Sequence, residues 1–391
     1  MLNLKRALFA VACAGMMAGS TASARAADPL VIDVILPVTG PAAFLGTAQS
    51  NSLELLEQIV NKSGGVNGRP VKFVIHDDQT SPQTAVQLTN AVVAAKAPVI
   101  IGSAMVAACN AMAPLAKDGP VMYCLSPAVH PPDGSYMFSS GFSTKDLLVA
   151  VMRYLRNRGW HRIATITSAD ATGQDADRSI DEAVALAENK EQTIVDREHF
   201  APADVTVAAQ IASLKATKPD ALIIWTTGTP FGTVLRAVSD AGLDVPLVTT
   251  PGNMTHEQMK AYASFLPDDL YIPTKPAFAP DQLANGPVKN AVLTFQRAFK
   301  AANVRPDEGY ISLWDATLLI VEAYRKLGAN ASAAQIRNYI SSQRNWAGVD
   351  GTYDFVSVPQ RGIGVNSVMM VRWDRAKDDW LGVSRLGGNL K

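Results

Sequence analysis

The chain has 391 residues, 35 basic and 35 acidic side chains, and 48% hydrophobic content. A zero formal balance gives no support to nucleic acid or an anionic membrane as a partner, and neither is expected. The length and apolar content suit two domains of roughly 100–200 residues each.

Residues 1–26 read as an export signal. Lys5 and Arg6 form a charged end, an apolar run covers 7–18, and Ala24-Arg25-Ala26 fits a small-x-small cleavage pattern. The run is too short to cross a bilayer, and Ala10 stands where a lipobox before Cys13 would carry leucine. Cleavage after Ala26 predicts a soluble periplasmic protein, with monomer as the expected state. Loss of Lys5, Arg6 and Arg25 leaves 32 basic against 35 acidic residues, a net charge of −3.

From residue 30 the pattern alternates between strand and helix. Residues 30–36 are aliphatic and β-branched, as a buried parallel strand requires. Leu45, Ala48, Ser52, Leu55 or Leu56, and Ile59 recur at helical spacing. Gly64 and Gly65 end that helix, and Asn67-Gly68 turns the chain into a strand over 71–77. Ser81 and Pro82 start the next helix. Strands at 98–102 and 121–125 flank a helix over 107–117. Ser143 and Asp146 form a capping box for a helix that runs to Gly159. Strands are predicted at 163–167, 193–198, 221–225 and 246–250, with helices over 173–188, 205–217 and 231–241. The last third holds helices over 288–301, 308–327 and 334–342, then a strand pair at 365–374 and 380–383. This alternation implies an α/β fold of two doubly wound parallel-sheet lobes.

Two cysteines remain after cleavage. Cys109 falls near a helix start and Cys124 near a strand end, both at one sheet edge. An oxidising compartment permits a disulfide between them; two small buried thiols are the alternative.

Catalytic constellations are missing. There is no GxSxG elbow. The histidines His76, His130, His161, His199 and His256 form no HxxxH or HExxH pair, and there is no CxxC. The run at Gly362-Ile363-Gly364 has Ser367 at its third glycine position, so phosphate binding is not expected there. Asp77-Asp78 reads as a pair that orients the loop before Pro82 rather than as an acid–base couple. No enzyme activity, cofactor or metal is expected.

Two stretches carry a family resemblance. The first joins Gly40-Pro41, Phe44-Leu45-Gly46, the turn at 61–68 (NKSGGVNG) and Asp77-Asp78 before Pro82. The second joins Leu214-Lys215, Lys218-Pro219-Asp220, Leu235-Arg236, Ala241-Gly242-Leu243 and Pro246. At this order and spacing, nearly the whole mature chain resembles the Leu/Ile/Val-type periplasmic binding proteins, the type I solute-binding proteins of ABC importers. The resemblance implies three crossings between lobes at a hinge, with lobe 1 as 28–143 plus 276–347 and lobe 2 as 144–275 plus 348–391. It also implies a membrane permease and its ATPase as partners. A ligand-sensing module of a receptor or regulator shares the fold.

In open α/β sheets, loops after strands at the carboxyl edge face the ligand. In lobe 1 these loops contain Phe44 and Leu45; Met105, Ala107 and Ala108; and Ala128, Val129 and His130. In lobe 2 they contain Thr172; Trp225, Thr227 and Gly228; and Pro251 and Asn253. The helix start near Ala107 offers free backbone N–H groups to a carboxylate. The resemblance is informative by disagreement. Amino-acid binders of this family have hydroxyls aligned with 106–109, a threonine at His130, a tyrosine near Thr172 and aromatics near Thr227 and Gly228. They also have an ammonium-binding glutamate near Pro251. This chain lacks them, and an ammonium buried without an anion is costly. The expected ligand is a small organic acid without an α-ammonium, in particular an aromatic carboxylate such as a benzoate or phenylpropenoid acid. A branched-chain amino acid is the alternative.

Overall fold

The computed structural model describes residues 28–391, so the expected export signal lies outside the described residues. Five strands build the first sheet: β1 (Leu30–Leu36), β2 (Val71–Asp77), β3 (Val99–Gly102), β4 (Val121–Cys124) and β5 (Met137–Ser139). They are all parallel, in the order β2-β1-β3-β4-β5. The inner strands β3 and β4 are buried along their whole length, which explains their unbroken apolar sequences.

The second sheet takes β6 (Arg162–Ser168), β7 (Thr193–Phe200), β8 (Ala221–Trp225), β9 (Leu247–Thr249) and β10 (Leu270–Thr274). A separate hairpin of β11 (Arg344–Ala347) and β12 (Thr352–Asp354) follows. β13 (Met369–Asp374) and β14 (Asp379–Gly382) then complete the second sheet as antiparallel strands. Its order is β14-β13-β10-β9-β8-β6-β7. The chain therefore passes between sheets three times: after β5, after β10 and before β13.

Local sequence explains the element starts. Ser81 accepts a hydrogen bond from the Thr84 N–H, and Ser143 with Asp146 forms the capping box ahead of helix Thr144–Asn157. In each lobe the first strand hands over to a helix that almost touches it. A Cβ on Gly46 would sit 2.0 Å from the Pro37 carbonyl oxygen, and one on Gly173 would sit 1.8 Å from that of Ser168. Only glycine permits this approach, which draws the helix starts to the carboxyl ends of β1 and β6. Cys109 and Cys124 form a disulfide that ties helix Val106–Met112 to the end of β4.

The lobe boundary expected at 347/348 needs correction. It cuts through the β11–β12 hairpin, and the residues after it stay with the first sheet. Phe355 packs edge-on against Phe138 of β5, and Gln360 donates to the Ser135 carbonyl at 2.9 Å. The last passage to the second sheet comes after these contacts.

A candidate ligand site between the lobes

The carboxyl ends of both sheets converge on one cavity. From lobe 1 it takes Leu45, the turn 104–106 after β3, the turn 125–128 after β4 and residues 140–142 after β5. From lobe 2 it takes Thr172 after β6, Trp225 and Thr227 at the end of β8, and 250–252 after β9. Thr274 and Lys275 at the end of β10, with Glu308 and Ser312, close it where the chain returns to lobe 1. The wall is mostly apolar, and Trp225 is its largest fully buried side chain.

Of the residues expected at the site, Leu45, Met105, Ala128, Thr172, Trp225, Thr227 and Pro251 line this cavity. The others do not. Phe44 lies one helical position away from Leu45 and faces an outer groove with Arg236 and Tyr262. Ala107 is exposed. Ala108, on the inward face of helix Val106–Met112, and Val129, in the loop after β4, are both in the apolar core beneath the cleft loops. Helix Val106–Met112 has seven residues, too short for a strong dipole site, and the Met105 N–H already goes to Ser103 Oγ at 3.2 Å. Asn253 is structural: its side chain binds the Gly228 N–H and the Thr226 carbonyl, locking the two loops together. Gly228 itself backs onto Pro41 of lobe 1.

His130 sits beside the cavity, not in it. Its Nε2 lies 2.7 Å from Asp175 Oδ1 of lobe 2, and Arg178 shares the same oxygen at 2.9 Å. Burial pushes the Asp175 carboxyl up, but its polar neighbours, led by His130, outweigh that and hold it below the usual carboxylate range. Asp77 and Asp78 hold loops: Asp77 accepts from Thr39 Oγ1 at 2.6 Å, and Asp78 accepts from Ser103 Oγ at 2.5 Å.

Sequence reasoning missed the polar end of the cavity. Lys275 and Glu308 form a buried ion pair in its wall, their side chains 7% and 8% exposed. Burial pushes the Lys275 ammonium down, but the Glu308, Asp350 and Asp315 charges overcome this and hold it above its usual value. Glu308 is pushed up to about 7, chiefly by burial and against the pull of Lys275. Glu308 Oε2, Thr144 Oγ1 and Thr274 Oγ1 are buried without hydrogen-bond partners among the described residues. Such atoms are costly in a low-dielectric wall unless something else satisfies them. Behind Lys275, Asp315 accepts from the Val349 and Asp350 N–H groups, and burial with the Asp350 charge lifts it to about 7.

The periplasmic binding protein family model matches residues 29–379, most of the chain. This chain belongs to the periplasmic binding proteins. A relative named "Leu/Ile/Val-binding protein homolog 3", from Brucella melitensis, is 22% identical over 362 residues, covering 91% of this chain and 94% of its own. A solute-binding protein of an ABC transporter from Rhodopseudomonas palustris, solved with benzoate, superposes with a TM-score of 0.75 at 20% identity, covering 93% of this chain and 97% of its own. A branched-chain amino acid transporter substrate-binding protein from Streptococcus pneumoniae, solved with isoleucine, gives 0.74 at 18%, with coverages of 93% and 98%. The chain is thus a periplasmic binding protein, a ligand carrier and not an enzyme, with the two-lobed fold of these solved structures.

Proposed function

We propose that this periplasmic binding protein carries a small aromatic carboxylate to a membrane permease driven by an ATPase. In this reading the protein is exported, cleaved after Ala26 and works as a monomer. The observation that carries the ligand class is Lys275. A buried ammonium at the polar end of the cavity, paired to Glu308, is a counter-ion for one carboxylate, and Trp225, Leu45 and Phe142 supply flat or aliphatic surface for a ring. Pro251, where the resemblance puts an ammonium-binding glutamate, lines the cavity and offers no charge. The benzoate-bound neighbour supports the same reading.

A second reading is favoured by Glu308. It is an acid in the cavity wall with a bare oxygen, a place where the ammonium of a branched-chain amino acid would fit. One calorimetric comparison separates the two. Benzoate or a phenylpropenoid acid should bind in the micromolar range or tighter, about −8 kcal/mol or better, while leucine, isoleucine and valine give no heat. Submicromolar leucine binding with silence from every aromatic acid would overturn the first reading and establish the second.

A further inference from the structure

We infer that binding exchanges carboxylates on Lys275: the ligand's carboxylate takes the ammonium, and Glu308 releases it and takes up one proton from solvent. The inference rests on the aromatic-acid reading and deepens it to a proton-linked uptake step. No covalent bond is made to the ligand. One anion and one proton enter, one ion pair is broken and one is formed, and the site's net charge is unchanged.

Geometry and charge balance carry the argument. Lys275 and Glu308 line the same cavity, and Glu308 is the acid that bonds directly to Lys275. Its second oxygen has no partner, so half of its acceptor capacity is unmet even before it loses the ammonium. The other charged groups around the pair are already engaged. Asp350 accepts from the Tyr353 hydroxyl at 3.0 Å through one oxygen, its other oxygen being bare like that of Glu308, but it makes no hydrogen bond to Lys275; Asp315 holds two backbone N–H groups. Asp307 accepts from the His256 and Gly309 N–H groups. Arg361 spends its guanidinium on the carbonyls of Gly141, Pro127 and Val129. Four buried acids therefore lie around one buried ammonium, and a further carboxylate entering as an anion adds to an existing excess of acid over ammonium. The acid that loses its ammonium is the one best placed to take a proton, and its titration near neutrality makes that proton available at working pH.

The test uses calorimetry on the mature protein with benzoate, cinnamate and isobutyrate between pH 7.5 and 9, in two buffers of different ionisation enthalpy. The expected result is uptake of close to one proton near pH 8.5, and a Kd that weakens about tenfold per pH unit above pH 7.5. Glu308→Gln should bind with a flat pH profile, and more tightly than the wild type at pH 8.5. Lys275→Met should weaken all three acids at least about tenfold. Wild-type binding without proton uptake overturns the exchange and leaves the aromatic-acid reading standing. So does loss of binding in a folded Glu308→Gln protein, which would make Glu308 an acceptor for the ligand. Failure of all three acids to bind overturns both.

Discussion

His256 holds its proton well above the range of an ordinary histidine. Burial pushes it down, but Asp307 and Asp379, each 3.5 Å from one ring nitrogen, outweigh that and raise it to about 9. A folded-state value above the unfolded one means the ion pairs stabilise fully below about pH 6.5, and the gain is lost as pH rises through about 9. The gain is on the order of 2–3 kcal/mol. Urea unfolding should therefore separate wild type from His256→Asn by about that amount at pH 6 and by little at pH 9.5. A gap that stays constant across this range would show that the ring acts by packing and not by charge. The same scale shows why site residues were only partly legible. Trp225 and Pro251 could be placed because they end recognisable strands. Lys275 follows the apolar run 270–274 and would have been flagged had that run been read as a strand, since its end faces the cleft. Glu308 looked like an ordinary helix-start acid. Ala107 and Ala108 are misplaced by a reading at loop level: within helix Val106–Met112 one faces solvent and the other the core, and neither faces the cleft.

Elements with strong periodicity or clear caps were legible, and short ones were not. The alternation of β1 to β4 and β6 to β9 with their helices stands in the chain's apolar pattern. β5 has three residues and no alternation, so its burial comes from tertiary partners: β4 on one side and the Phe355–Gln360 segment packed against it. β10 carries Pro273, which ordinarily argues against an inner strand. The structure resolves the conflict on one side: β9 pairs only with Leu270 and Tyr271, so Pro273 lies past that ladder and has a strand partner only in β13, opposite Met370. Two predictions belong to this scale. Gly46→Ala would press a methyl group onto the Pro37 carbonyl and should cost about 1–3 kcal/mol in denaturant unfolding, with a matching loss at Gly173. If either alanine is neutral, the close strand–helix approach is not what holds the cleft loop. Replacing both Cys109 and Cys124 with alanine opens a loop with a sequence separation of 15, and should cost about 3 kcal/mol by the chain-entropy relation. An unchanged unfolding midpoint would show that the bond adds nothing beyond the packing of its two buried sulfurs.

At the scale of the molecule, three passages of chain join two lobes that also touch beside the cavity. The Thr229 N–H donates to the Pro41 carbonyl at 3.3 Å, and His130 meets Asp175 at 2.7 Å. Each contact joins residues of different lobes, so hinge opening must break both, and a ligand held by both walls must favour the arrangement that keeps them. His130 is half exposed, so its pairing is worth about 0–1 kcal/mol and tunes closure without commanding it. His130→Ala should therefore raise the Kd of the bound acid by a few-fold while the unfolding midpoint stays in place. Small-angle scattering supplies the global readout. The radius of gyration should fall when a saturating acid is added to the wild type, and should fall by the same amount for His130→Ala once the higher Kd is met. The two proteins then share a closed state and differ only in how readily they reach it. A tight ligand that leaves the radius of gyration unchanged in both would mean that the lobes do not close around it, and that the cleft contacts are fixed features of a rigid body.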